Sequence, residues 1–114
     1  MKLEVGMYVR TLNGIVKIYK IQDNVIEDTK GHLHYGDFVK ASYNIIDILE
    51  VGDAIEIDVI DKDNYPTIMG INFARIDNKV ELASIKDMLK NESAKLLTVI
   101  THDQMEQMAY KVVE

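Results

Sequence analysis

Three clusters in this sequence join residue types that could do chemistry. His32-Leu33-His34 sets two imidazoles at i and i+2, which on an extended strand point to one side, and Asp28 or Asp37 could approach them as a third metal ligand. A zinc site takes three or four protein ligands with hydrogen bonds behind them, whereas an H-x-H near a hairpin tip is ordinarily solvated, so no metal is expected here. Asp58, Asp61 and Asp63 are the densest carboxylate group, the raw material of a hydrolytic pair. Alternation places Asp58 on the polar face of a strand and the other two in a loop, where solvated acids are the expectation. His102 follows Thr101 at the predicted start of a helix, and Thr101 serves better as a cap than as a nucleophile. The chain has no cysteine, and its six glycines are isolated, so neither a thiolate centre nor a glycine-rich phosphate loop is available. No catalytic or metal-binding residue and no cofactor is assigned. A metal-dependent enzyme built on His32 and His34 is the least favoured reading.

Binding chemistry has better material. Tyr8, Tyr19, Tyr35 and Tyr43 each combine an apolar face with a polar tip, the composition of grooves that hold extended peptides. Arg10 and Arg75 are the only arginines, and with nearby lysines they are the cations that could converge on a phosphate. These six residues are the candidate binding set. Met105 and Met108 read as the apolar stripe of a short helix, filling a core.

The elements that would position them are mostly strands. Leu3-Glu4-Val5-Gly6 recurs as Leu49-Glu50-Val51-Gly52, with Val9 and Ile55 at equivalent places, which suggests two related units, about 1–48 and 49–94. In the first, Met7 and Val9 alternate with Tyr8 and Arg10, and Asn13-Gly14 predicts a type I′ hairpin into the strand 15–21. Short strands follow over 25–28, 32–35 and 38–41, with Ser42 to Leu49 read as a strand or bridging segment. In the second, Ile55, Ile57 and Val59 alternate with Glu56 and Asp58 in the clearest half-buried strand of the chain. A polar loop, a returning strand over 67–74 and a strand at Val80-Glu81-Leu82 come next. Ser84 and Asp87 suggest a capping box for a short helix through Leu89. Lys95 to Ile100 predicts a last buried strand, Thr101 and Gln104 a capping box, and Tyr110 to Val113 an edge strand. The expected fold is mainly β: a small antiparallel SH3-like barrel, built of two pseudo-repeated units, with a strand-helix-strand C-terminus over 95–113. Residues 1–114 are expected to form a single compact domain.

With 114 residues, 47% hydrophobic and 28% charged, the chain has the composition of a folded globular protein. Its net charge of −6, from 19 acids and 13 bases, argues against a nucleic-acid binder that neutralises phosphates with clustered cations. Nowhere do eighteen apolar residues follow one another, and no basic start leads into an apolar run, so a soluble cytoplasmic protein without membrane contact is expected.

Three segments also carry a resemblance. Glu4 to Thr11 with Asn13-Gly14-Ile15, then Val39 to Asp53, and Val99 to Glu106 with Tyr110-Lys111-Val112 look like the small uncharacterised proteins of phages and prophages of Gram-positive bacteria such as clostridia. The match touches the beginning, middle and end, is most specific in the middle, and covers residues 54–94 least. That family carries no assigned activity. The resemblance implies a phage setting, inside a bacterial host, where small acidic accessory proteins bind host factors and inhibit or sequester parts of host defence. The leading expectation is therefore a non-enzymatic binding module with a host protein as partner. The alternative is an oligomeric sponge that captures a small nucleotide signal through Arg10, Arg75 and lysines; a homo-oligomer suits either reading.

Overall fold

The computed structural model of the chain describes residues 2–36, 38 and 40–108. It is mainly β, with two antiparallel sheets and a short C-terminal helix. The contacts divide the chain into two compact units, 1–48 and 49–114, and the boundary falls where the repeated segment begins its second copy.

Both copies fold into the same turn. Gly6 and Gly52 take φ of +93° and +98°, in the left-handed region that a side chain penalises and glycine does not. Met7 N–H closes one turn onto the Glu4 carbonyl, and Asp53 N–H closes the other onto that of Glu50, each at 3.2 Å. The glycine N–H then donates to a neighbouring backbone: Gly6 to Ile18 O at 2.9 Å, Gly52 to Ile76 O at 2.7 Å. Ile18 N–H returns to Met7 O and Ile76 N–H to Asp53 O. Both isoleucines are fully buried. A side chain even bridges each turn, because Glu4 N–H donates to Met7 Sδ where Glu50 N–H donates to Asp53 Oδ2.

In the first unit this turn launches β1 (Tyr8–Thr11), which lies between β2 (Gly14–Gln22) and β5 (Ala41–Ser42). β3 (Val25–Asp28) and β4 (Leu33–Tyr35) extend the sheet to the order β4-β3-β2-β1-β5. Val9, Ile18 and Ile26 form the core, with Leu3, Met7, Val16, Ile21, Phe38 and Ala41 packed around them. The predicted hairpin forms one residue earlier than its Asn13-Gly14 signal. Thr11 faces Gly14, Leu12 and Asn13 make the tip, and Gly14 alone of these takes positive φ, so the turn is not type I′. Thr11 Oγ1 explains the shift: it donates to Gly14 O and accepts from Asn13 N–H, a local bond that competes with the primed turn. Beyond Ser42, the last residue of β5, the segment to Leu49 bridges rather than pairs and carries a 3₁₀ turn, Ile45–Ile48, because Ser42 Oγ and Asn44 Oδ1 accept the first amides that the turn leaves unpaired.

In the second unit β6 (Ala54–Val59) is the centre strand of the order β7-β6-β8, flanked by β7 (Gly70–Arg75) and β8 (Ala94–Ile100). Ile55, Ile57 and Val59 are buried as their alternation predicts, each burial stabilising by roughly 1.5–3 kcal/mol. Val80-Glu81-Leu82 is not a strand, and Ser84 is not a cap. Both lie inside α1 (Lys79–Lys90), whose N-cap is Asn78. Asn78 Oδ1 accepts from Glu81 N–H at 2.9 Å, and Glu81 Oε2 accepts from Asp77 N–H at 2.8 Å, so an Asn-x-x-Glu signature starts the helix six residues before the Ser-x-x-Asp one. Met88 and Leu89 are its buried face, and the helix packs against β8. At the other end of β8, Thr101 and Gln104 make the predicted reciprocal capping box of α2 (His102–Met108), at 3.1 and 3.3 Å. The expected edge strand Tyr110 to Val113 lies outside the described residues.

The two turns differ in the room they leave at their glycines. A methyl at residue 6 would sit 3.7 Å from Tyr43 Cε1, an ordinary contact, whereas one at residue 52 would come within 3.1 Å of His102 Cβ. Gly6→Ala is expected to cost about 1–2 kcal/mol for its backbone alone. Gly52→Ala should cost clearly more, measured by urea denaturation followed by circular dichroism. Equal losses would contradict the steric part of this account.

Candidate functional site

His34 and Asp28 meet, but as a structural pair. Asp28 is buried at the end of β3, and its Oδ1 accepts from Lys30 N–H at 2.8 Å and from His32 N–H at 3.0 Å. Its Oδ2 lies 2.8 Å from His34 Nε2 and 3.8 Å from His32 Nδ1. Burial opposes the charged form, yet the bond from His34, those from the His32 and Lys30 amides, and the nearby His32 ring outweigh it. They hold the carboxyl down to about 2 from 3.8. A carboxylate with both oxygens occupied by the loop it closes is a turn clamp, and among the described residues no group of three metal-ligating side chains assembles.

The second unit has a related knot. Asp53, 0% exposed, accepts from Glu50 N–H through Oδ2 and from His102 N–H through Oδ1, at 2.8 and 3.1 Å. His102 Nε2 lies 2.7 Å from Glu50 Oε1. Tyr43 plays the same part in the first unit, its ring over Gly6 and its hydroxyl donating to Glu4 Oε2. That bond holds the phenol's proton and pushes its pKa up from the usual value. Each Glu-Val-Gly turn is thus closed by a ring that covers the glycine and bonds the glutamate. Asp61, from the acidic loop, accepts from Asn64 Nδ2 and from the Asn64 and Asp63 amides, and the Asn64 bonds above all keep its carboxyl below the ordinary range. It orders its own loop.

The six candidate binding residues do not converge on one site. Arg10 is buried, its Nη1 donating to Ile48 O at 2.9 Å, which ties β1 to the 3₁₀ turn. Tyr43 closes its turn. Tyr8 is half-buried beneath Lys17, whose Nζ stands 5.6 Å from the ring centre. Tyr19 is exposed at the irregularity between Ile18 and Lys20 in β2, and Arg75 is exposed on β7 of the other unit. Tyr35 stands in a groove of the first unit. The pairings Gln22↔Val25↔Tyr35 and Lys20↔Glu27↔Leu33 align these side chains on the outer face of β2, β3 and β4, where they line a hollow of about 290 Å³. Tyr35 is 71% exposed and Leu33 52%.

No protein family, curated protein or solved structure matches this chain.

A second open face was not evident from residue types. On β7, Ile71 and Phe73 are 63% and 79% exposed, while the alternating residues Asn72 and Ala74 are half-buried. Periodicity alone would turn the larger apolar pair inward. The register carries the missing signal: Ile71 faces Asp58 and Phe73 faces Glu56, so they share the acidic, solvent side of β6. Phe73 and Arg75 border a hollow of about 540 Å³ with Ala54, Glu56, Thr98 and Ile100.

The Asp28 clamp predicts a pH response. Its folded pKa lies below the unfolded value, so its contribution is present above 3.8 and is lost as pH falls towards 2. Denaturation midpoints of the wild type should drop through that window, and those of Asp28→Asn should change less there. Parallel profiles would show that Asp28 does not clamp the loop.

Proposed function

We propose that this chain is a non-enzymatic binding module, and that its working surface is the outer face of β2, β3 and β4. The observation that carries the reading is the pair of exposed side chains on β4, Tyr35 and Leu33, aligned across Val25 and Glu27 over a groove. A Tyr and a Leu two residues apart present alternate contacts to an extended segment, and Lys20 and Glu27 on the floor offer it both charges. A four-stranded meander with a short β5 returning beside β1, followed by a 3₁₀ turn, supports reading this unit as SH3-like. The polar interior is committed to the fold. Asp28, Asp53 and Arg10 bond backbone groups, which leaves recognition to the surface. With the phage resemblance of the sequence, the partner in this proposal is a host protein, bound through an extended segment and inhibited or held by it.

A selection of random peptides on the immobilised protein tests this. Extended peptides with an apolar anchor are expected to enrich, and Tyr35→Ala and Leu33→Ala should each weaken them by about tenfold or more without changing the circular dichroism spectrum. Failure of any peptide to enrich, or binding indifferent to both substitutions, would overturn the proposal.

A further inference from the structure

Four described strands are sheet edges, and three of them are defended. β4 has three residues and β5 two, too short to template another chain. β8 is longer but breaks register opposite Glu56 and Ile57 and carries exposed Lys95, both devices that discourage pairing. β7 has none of these. Its six residues pair with β6 in unbroken register, it contains neither lysine nor proline, and it displays Ile71 and Phe73 to solvent. An edge of this kind is a template for strand addition.

We propose that β7 pairs with β7 of a second copy, antiparallel about a two-fold axis at Phe73. This goes beyond the binding reading and does not rest on it, since it concerns the other unit. The charges favour a copy of the same chain. With Phe73 opposite Phe73 of the second copy, Arg75 falls opposite Ile71, and the next residue along that row is Asp58 of the second copy, because Asp58 faces Ile71 across β6 and β7. Two strand spacings put Arg75 about 10 Å from Asp58 between Cα atoms, within the combined reach of the two side chains across the isoleucine. Arg75 faces uncharged Ala54 in its own sheet, and among the described residues neither Arg75 nor Asp58 forms an ion pair. The two-fold axis satisfies both pairs at once and stacks the two Phe73 rings at the centre. Shifted by two residues, the pairing would put Phe73 opposite Arg75 with Glu56 next in the row, but it would part the two Phe73 rings, and Glu56 already accepts from Thr98 Oγ1. The product is a continuous six-stranded antiparallel sheet.

Sedimentation velocity of the full chain over a concentration series tests the pairing. The wild type is expected to associate reversibly to twice the chain mass, and Phe73→Glu should leave monomer of unchanged circular dichroism. Arg75→Glu and Asp58→Arg should each weaken the dimer by about tenfold, because the two-fold axis makes each substitution act twice. The double variant, with the charges exchanged, should recover most of that loss. A wild type that stays monomeric, a dimer that tolerates Phe73→Glu, or a double variant weaker than either single one would overturn the inference.

Discussion

Positive φ at Gly6 and Gly52 is the constraint on which both units depend. Only glycine adopts it without strain, and each glycine must also offer its N–H to a strand-end carbonyl and its open side to a ring. The turn aims the strand that follows it. β1 and β6 each follow such a turn directly, and each becomes the centre strand of an antiparallel three-strand set, β2-β1-β5 or β7-β6-β8. The isoleucine that exchanges two backbone bonds with each turn is fully buried, so the turn is fixed to the interior as well as to its own loop.

Polar side chains inside the units are occupied in holding such loops. Asp53 bonds two amides 52 residues apart in sequence, those of Glu50 and His102, and so fixes the start of α2 to the turn before β6. Met7 occupies the equivalent place in the first unit with a weaker sulfur acceptor, and there Tyr43 reaches Glu4 from the end of β5. Asp28 repeats the tactic at the β3 to β4 connection. Buried carboxylates that accept several backbone donors rigidify loops, and their acidity follows from those bonds. They give the interior order and leave the outer sheet faces as the parts able to meet another molecule.

Much of this was legible in the residues. The Leu-Glu-Val-Gly repeat marked where the two units begin, the alternation of Ile55, Ile57 and Val59 marked β6, and Thr101 with Gln104 marked the cap of α2, because each signal is local. Signals that compete locally were harder. Asn78 and Glu81 form a better cap than Ser84 and Asp87, and they convert a stretch whose apolar residues also suit a strand into the first turn of α1. The fates of Arg10, Ile71 and Phe73 depend on register and on what covers a face, which period-two alternation does not contain. The same holds for the tyrosines: similar side chains became a turn closure at 43 and a groove wall at 35.

Residue-resolved amide hydrogen exchange tests the central claim, that two ring-covered glycine turns hold the two units in the same way. The account predicts that the N–H groups of Gly6 and Ile18, and of Gly52 and Ile76, are among the slowest to exchange in their respective units, well behind those of β4. Exchange at Gly52 and Ile76 as fast as in Leu33 to Tyr35, with Gly6 and Ile18 protected, would contradict it.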